Sequence, residues 1–333
     1  VTGPWLRTGP CTPDMCVGAA VVAAGAARRA LRLLAAVVVV LAGVPVALTA
    51  RHVRADVRAR LTGTWARLLL RALGIRLELT TEEPSEDAAA GPGSGAAGEA
   101  GASGVRREAG AAGARGEAGA SGVGGEAGEL VVANHVSWLD PLVIAAAVPS
   151  RPLAKREIAA WPVVRTLAAG SGALFIDRER LSALPSAVAA VAAALRAGDT
   201  VVAFPEGTTW CGLGMGDFRP AVFQAAIDAG AAVRPATLRY REDGRPSTRA
   251  CYVGEDSLLA SVLRVAATRR LAVEVRLLAP LRAAPPAGRP RARAALAGTA
   301  EALVRAAMDG PPGRERGRAV AHLPKPAVSP LSS

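Results

Sequence analysis

Hydrophobic and polar positions change their pattern several times along this chain. Residues 33–50, LLAAVVVVLAGVPVALTA, carry no charge, and at 1.5 Å per residue the stretch 31–50 spans about 30 Å as a helix, the thickness of a bilayer core. Two other readings share that pattern. One is a signal peptide, because Arg28 and Arg29 precede the run, and the other is a buried core helix, because Pro45 interrupts it. We read an anchor, either transmembrane or membrane-embedded. Residues 56–74 interleave Arg58, Arg60, Arg67 and Arg71 with Val57, Leu61, Trp65 and Leu68–Leu70, a basic amphipathic pattern suited to the headgroup region.

Further on, short apolar runs alternate with helical periods. Strands are predicted at 75–80, 130–134, 173–176, 200–204, 232–240 and 271–278. Helices are predicted at 141–147, 155–168, 186–197, 218–229 and 292–308, with Gly198 and Gly230 as stops. Such alternation predicts an α/β fold: a central mixed, largely parallel sheet flanked by helices. Between 82 and 129 the chain is Gly, Ala, Glu and Ser, with GEAGASGV at 98–105 returning at 116–123, and nothing there can build a core. The expected organisation is a disordered N-terminus (1–30), a transmembrane helix (31–50) and a membrane-proximal amphipathic segment (51–81). A low-complexity disordered insertion (82–129), a catalytic domain (130–285) and a C-terminal helix and tail (286–333) follow.

Composition narrows the function. The net charge of +12 and pI of about 11.0 suit an anionic membrane, a phosphorylated substrate or nucleic acid. Aromatics are only 3% of the 333 residues, so bases have few stacking platforms and nucleic acid is disfavoured. The six arginines from 51 to 71 outnumber Arg7, Arg28, Arg29 and Arg32 before the uncharged run, which puts the body on the cytoplasmic face of the cell membrane. Cys11, Cys16, Cys211 and Cys251 form no CxxC pair and there are three histidines, so the sequence predicts unlinked thiols and no metal site.

The sharpest chemical feature is Asn134-His135-Val136-Ser137-Trp138-Leu139-Asp140 at a predicted strand end. Attack of an alcohol on a thioester needs a base of near-neutral pKa, for which imidazole serves, and a carboxylate on its other nitrogen fixes the tautomer. His135 and Asp140 meet only if the chain turns between them, because positions five apart on a continuous helix lie about 140° apart. Asp140-Pro141 also reads as a plain helix start, with Asp140 a cap and His135 a loop histidine. Ser137 has no elbow of the GxSxG type and is not read as a nucleophile.

The motif resembles the HxxxxD signature of the glycerolipid acyltransferases, the family that contains the lysophosphatidic acid acyltransferases. Three more blocks follow in that family's order: Gly172–Arg178 (GALFIDR), Phe204–Thr209 (FPEGTT) and Val233–Ala236 (VRPA). The resemblance implies that His135 and Asp140 are catalytic and that Arg178, Glu206, Gly207 and Thr208 bind the acceptor's phosphate or head. It implies transfer of an acyl group from acyl-CoA or acyl carrier protein to lysophosphatidic acid, in phospholipid biosynthesis, with membrane lipids as partners and no cofactor. Glycerol 3-phosphate, another lysophospholipid or lyso-ornithine lipid is an alternative acceptor, and a silent lipid-binding scaffold an alternative class. Read from chemistry alone, Arg178 suits phosphate oxygens and Gly207 permits a tight turn, but a carboxylate at Glu206 repels phosphate and is better placed positioning Arg178 or a hydroxyl. Arg234 departs from the usual apolar form of the fourth block.

Overall fold

The computed structural model describes residues 9–82, 127–177, 180–282 and 289–310. In chain order the elements are α1 (Pro13–Cys16), α2 (Ala26–Ala50), α3 (Ala55–Ala72), β1 (Arg76–Thr81), β2 (Glu129–Ala133), α4 (Asp140–Ala147) and β3 (Arg151–Lys155). There follow a 3₁₀ turn (Arg156–Ala160), α5 (Pro162–Gly170), β4 (Leu174–Ile176), a second 3₁₀ turn (Leu181–Ala183), α6 (Leu184–Arg196) and β5 (Val201–Ala203). Then come α7 (Phe223–Ala229), β6 (Ala232–Glu242), β7 (Arg245–Pro246), α8 (Leu258–Ala267), β8 (Leu271–Leu277) and α9 (Arg289–Asp309).

The strands form one sheet in the order β1-β8-β6-β2-β5-β3-β4, with β7 paired to β6. Only β6 with β8 and β6 with β7 pair antiparallel; the remaining pairings are parallel, as expected from the βα alternation. Both sheet faces are covered, which explains why β2 and β5 read as unbroken apolar runs. Val131, Ala133 and Val202 face a layer holding Leu69 and Leu70 of α3, Val143 and Ile144 of α4, and Val265 of α8. Leu130, Val132, Val201 and Ala203 face Val191 and Leu195 of α6, Phe223 of α7, and Val304 of α9. Fully burying each such Val or Leu contributes about 1.5–3 kcal/mol, so these two alternating sets hold the sheet between its helices.

The expected element boundaries hold to within a few residues, with instructive exceptions. The run expected as a helix at 155–168 is the end of β3, a 3₁₀ turn and then α5, because Pro162 is tolerated only in a first helical turn. α7 starts at Phe223 rather than 218, after Pro220. β3 and α8 were not anticipated, although Ser257 caps α8 with its Oγ accepting the Ala260 N–H at 3.1 Å. The catalytic limits 130–285 leave out α3, β1 and α9, which are integral to the sheet and its layers. The expected insertion lies outside the described residues from 83 to 126, as does the tail from 311.

The N-terminal part also departs from expectation. Residues 9–25 were read as unstructured, yet they lie along the body: Ala24 N–H donates to Ala267 O at 2.8 Å, Gly18 N–H to Thr248 Oγ1 at 2.9 Å and Val21 N–H to Glu242 Oε1 at 3.0 Å. Then α2 packs on α3, α5 and α8. Trp65 Nε1 of α3 donates to Val39 O at 2.9 Å, and its ring lies where a Cβ on Gly43 would stand. Leu31, Leu34, Val37, Val38 and Leu41 are each more than half exposed, so α2 keeps an apolar outer face.

Candidate functional site

The conserved chemistry of a mostly parallel sheet is usually housed beyond the carboxyl ends of its strands, and there β2, β5 and β4 deliver the three sequence blocks. Asn134 closes β2 by bonding both ways to β6: its Nδ2 donates to Leu238 O at 3.0 Å and its Oδ1 accepts the Leu238 N–H at 2.8 Å. The chain then leaves the sheet and turns back before α4. That turn is organised by Asp140, whose Oδ2 accepts the Val136 N–H at 2.6 Å and the Ser137 N–H at 2.8 Å, and lies 2.8 Å from His135 Nδ1. Its Oδ1 accepts the Tyr240 hydroxyl proton at 2.7 Å. Asp140 therefore reaches backward into the loop and is no ordinary cap; α4 has no side-chain cap bond at its start.

With Asp140 fully buried and His135 only 16% exposed, the pair sits at the edge of the interior. A carboxylate bound at Nδ1 puts the ring proton there and leaves the Nε2 lone pair to accept another. The imidazole stacks on Phe204 with ring centroids 4.3 Å apart and an interplanar angle of 16°, which holds its plane. Tyr240, buried beside Asp140, has its hydroxyl pushed well above the usual tyrosine range by burial first and by the Asp140 charge second, so it stays a proton donor. Neither Tyr240 nor Asn134 was assigned a role from the sequence. Their partners lie about a hundred positions away, beyond the reach of any local motif.

The third block supplies a brace. Glu206 is 3% exposed; its Oε1 accepts the His135 N–H at 2.7 Å and its Oε2 the Gly216 N–H at 2.8 Å. Burial, the larger effect, pushes its carboxyl from 4.5 up to about 8 against those two amide bonds. In this geometry both carboxylate oxygens tie the His135 peptide to the following loop. Gly207 has φ +77, the left-handed region that favours glycine, and its N–H donates to Phe204 O at 3.2 Å, closing a turn. Thr208 is half-buried on the next step of that turn. Arg178 lies outside the described residues. Its neighbour Asp177 is paired with Arg156 at 3.7 Å and Arg180 at 3.9 Å.

A cavity of about 210 Å³ opens beside Phe204 and Glu206, the residues that stack on and brace His135, and is walled by Leu153, Leu184, Val188, Val191 and Val222 among others, with Arg180, Arg219 and Asp177 also on its lining. An apolar space with cations on its wall suits a ligand with a hydrocarbon part and an anionic part. Ser137 is fully buried and its Oγ accepts the Leu139 N–H at 3.3 Å, which removes it as a nucleophile. Arg234, the departure in the fourth block, pairs with Glu129 at 2.8 Å at the start of β2, the end of the sheet away from His135. The cysteines expected to be unlinked bystanders come together: the Sγ atoms of Cys11, Cys16 and Cys211 lie within 4.8 Å of one another.

Comparison with known proteins agrees with this geometry. A family model described as Acyltransferase matches residues 119–239. The chain is 39% identical over 147 residues to the 1-acyl-sn-glycerol-3-phosphate acyltransferase of Neisseria gonorrhoeae, a match covering 44% of this chain and 57% of that protein. It is 37% identical over 190 residues to the lyso-ornithine lipid O-acyltransferase of Pseudomonas aeruginosa, covering 54% and 68%. The chain thus spans little more than half the length of the Neisseria relative. Among solved structures, the 1-acyl-sn-glycerophosphate (LPA) acyltransferase of Thermotoga maritima superposes with a TM-score of 0.52 at 16% identity, covering 86% of this chain and 97% of that one, which establishes a shared fold.

Proposed function

The chain belongs to the acyltransferase family, and from that premise we propose that it transfers a fatty acyl group from a thioester carrier to the free hydroxyl of lysophosphatidic acid, with His135 as the base. The observation that carries this reading is the 2.8 Å contact of His135 Nδ1 with the buried Asp140, on an imidazole stacked against Phe204, which itself walls an apolar cavity. In the proposed step the acceptor hydroxyl gives its proton to His135 Nε2 while its oxygen bonds to the thioester carbonyl carbon. Asp140 stabilises the imidazolium that forms. The C–S bond then breaks, the proton passes to the departing thiolate, and the products are phosphatidic acid and a free thiol. Transfer is direct, since Ser137 offers no acyl-enzyme. Such a base contributes about 10² to 10⁴ in rate. Acyl-CoA or acyl carrier protein supplies the acyl group, and the residues need no cofactor for this chemistry.

The acceptor phosphate is assigned to Arg219 and Arg180 at the cavity, while Glu206 and Gly207 shape the loop; Arg178 and Thr208 keep the head-binding role that the family resemblance implies. A second acceptor, lyso-ornithine lipid, is favoured by the longer match to the Pseudomonas relative. That lipid carries no phosphate, so the two readings part at the arginines.

Helix α2 is long and apolar enough to cross a bilayer. Yet the chain before it is bonded to Thr248, Glu242 and Ala267, and the chain after it, α3, packs on α4. A spanning helix would put these flanks on opposite sides of the membrane. We therefore assign α2 an embedded position in one leaflet, apolar face down. At about 1 kcal/mol for each half-exposed Leu or Val, that face contributes on the order of 5–10 kcal/mol to membrane attachment. The arginines of α3 then meet anionic headgroups, worth about 1 kcal/mol each near the surface. Both thioester carriers are cytosolic molecules, which puts the site on the cytoplasmic face of the cell membrane.

Membranes carrying the wild type or His135→Ala, at matched protein levels, are assayed for acyl transfer from acyl-CoA to lysophosphatidic acid and to lyso-ornithine lipid. Transfer lost only in the variant supports the base assignment, and the preferred acceptor names the substrate. Silence with both acceptors and both carriers would favour the scaffold instead.

A further inference from the structure

All four cysteines of the 333 residues, at 11, 16, 211 and 251, belong to one apolar cluster built by three separate parts of the chain. Cys11 and Cys16 bracket α1, Cys211 follows the FPEGTT turn, and Cys251 lies between β7 and α8. The sulfurs of Cys11, Cys16 and Cys211 lie within 4.8 Å of one another, and Cys251, fully buried, stands outside that group. A single buried cysteine is a small hydrophobe that needs no explanation. Convergence of three sulfurs, from positions up to 200 apart in sequence, does need one.

We propose that this cluster binds a thiophilic divalent cation of the zinc class, with Cys11, Cys16 and Cys211 as its protein ligands. Tetrahedral thiolate coordination at about 2.3 Å sets sulfurs about 3.8 Å apart, so the three sulfurs need shift by only about 1 Å to close on an ion. Cys11 is 7% exposed and Cys211 8%, the seclusion of a structural rather than a catalytic centre. A disulfide uses two sulfurs and leaves the third unexplained; a metal uses all three.

The position gives the ion a task. Gly9 packs on Thr209, Thr209 Oγ1 donates to Tyr252 O, and Trp210 N–H donates to His135 O at 2.8 Å. A metal there fastens the segment ahead of α2 to the loop that holds the His135 backbone. Spacing rules miss such a site because they look for ligand pairs close in sequence, and only Cys11 and Cys16 are neighbours.

The test uses the full chain purified in detergent without chelator. Elemental analysis should find about one zinc per chain, released by a mercurial thiol reagent. Exchange for cobalt should produce thiolate-to-cobalt charge-transfer absorption. Cys11→Ser and Cys211→Ser should each lose the metal and that band while the far-ultraviolet circular dichroism is retained. If the variants aggregate, the wild-type metal content and cobalt spectrum decide alone. Protein that carries no metal and gives no charge-transfer band with added cobalt overturns the proposal, as does a disulfide between any two of the four cysteines.

Discussion

Replacing Glu206 by Gln separates a brace from a substrate contact. Both carboxylate oxygens accept backbone protons, from His135 at 2.7 Å and Gly216 at 2.8 Å. Gln has the same shape but offers one acceptor and one NH₂, so whichever way it turns, one buried N–H meets another donor. Leaving one such donor unsatisfied costs about 1–3 kcal/mol. At about 2–4 °C per kcal/mol for a domain of this size, Tm should fall by roughly 2–12 °C. Because the lost bond holds the His135 peptide, kcat should fall by up to about 5- to 150-fold, while KM for the acceptor changes little. Thermal unfolding in detergent and initial rates against acceptor concentration read both. A Tm within about 1 °C of wild type, together with a raised KM at unchanged kcat, would refute the brace and restore a head-group contact.

The same residue carries a pH signature. Between 4.5 and about 8 the folded protein holds on Glu206 a proton that the unfolded chain has already lost. Stability contributed at this position therefore falls as pH rises through that window. Gln does not titrate. The Tm gap between wild type and E206Q should narrow from the acid to the alkaline end of it, and a gap that widens would reverse the sign of the argument.

Other outcomes follow from the same geometry. His135→Ala should lower acyl transfer by about 10² to 10⁴, and because it strips a partner worth about 1.5–3 kcal/mol from the buried Asp140 carboxylate, Tm should fall by roughly 3–12 °C; matched rate and unfolding measurements check it. Tyr240→Phe removes a bond to the buried Asp140 carboxylate worth about 1.5–3 kcal/mol, so kcat should drop roughly 10- to 150-fold at unchanged KM, measured as initial rates. Leu34→Asn with Val38→Asn and Leu41→Asn should release the protein from membranes on alkaline carbonate extraction, whereas a spanning helix would keep it there. The end of β1 points toward the start of β2, three strand spacings across (about 14 Å) and four residues along (about 13 Å), roughly 20 Å in all. A Gly/Ser linker of about eight residues spans that gap, so exchanging residues 83–126 for one should leave transfer activity largely intact in the membrane assay.

How much of this was legible beforehand follows from the range of the forces involved. Strand and helix identity was readable for β2, β5, β6, α4 and α6, because apolar period and Gly stops act over neighbouring residues. The His135 and Asp140 pairing was readable as an option, since a turn within seven residues is local. Where charges interrupted the apolar pattern, as in Arg151–Lys155, or where Pro162 reset a helix, the local signal misled.

The sequence by itself determined the layered α/β scheme, the apolar length of α2 and the four ordered blocks, all of which are written in periods and short spacings. It took the tertiary structure to bring Tyr240 and Asn134 to the His135 loop, to set the Glu206 carboxylate on the His135 and Gly216 amides, and to pack α2 on the body. The same holds for the sulfurs of Cys11, Cys16 and Cys211. Each of these depends on groups from distant strands and loops meeting at the carboxyl end or flank of one sheet, and that meeting is set by strand order, which no local pattern encodes.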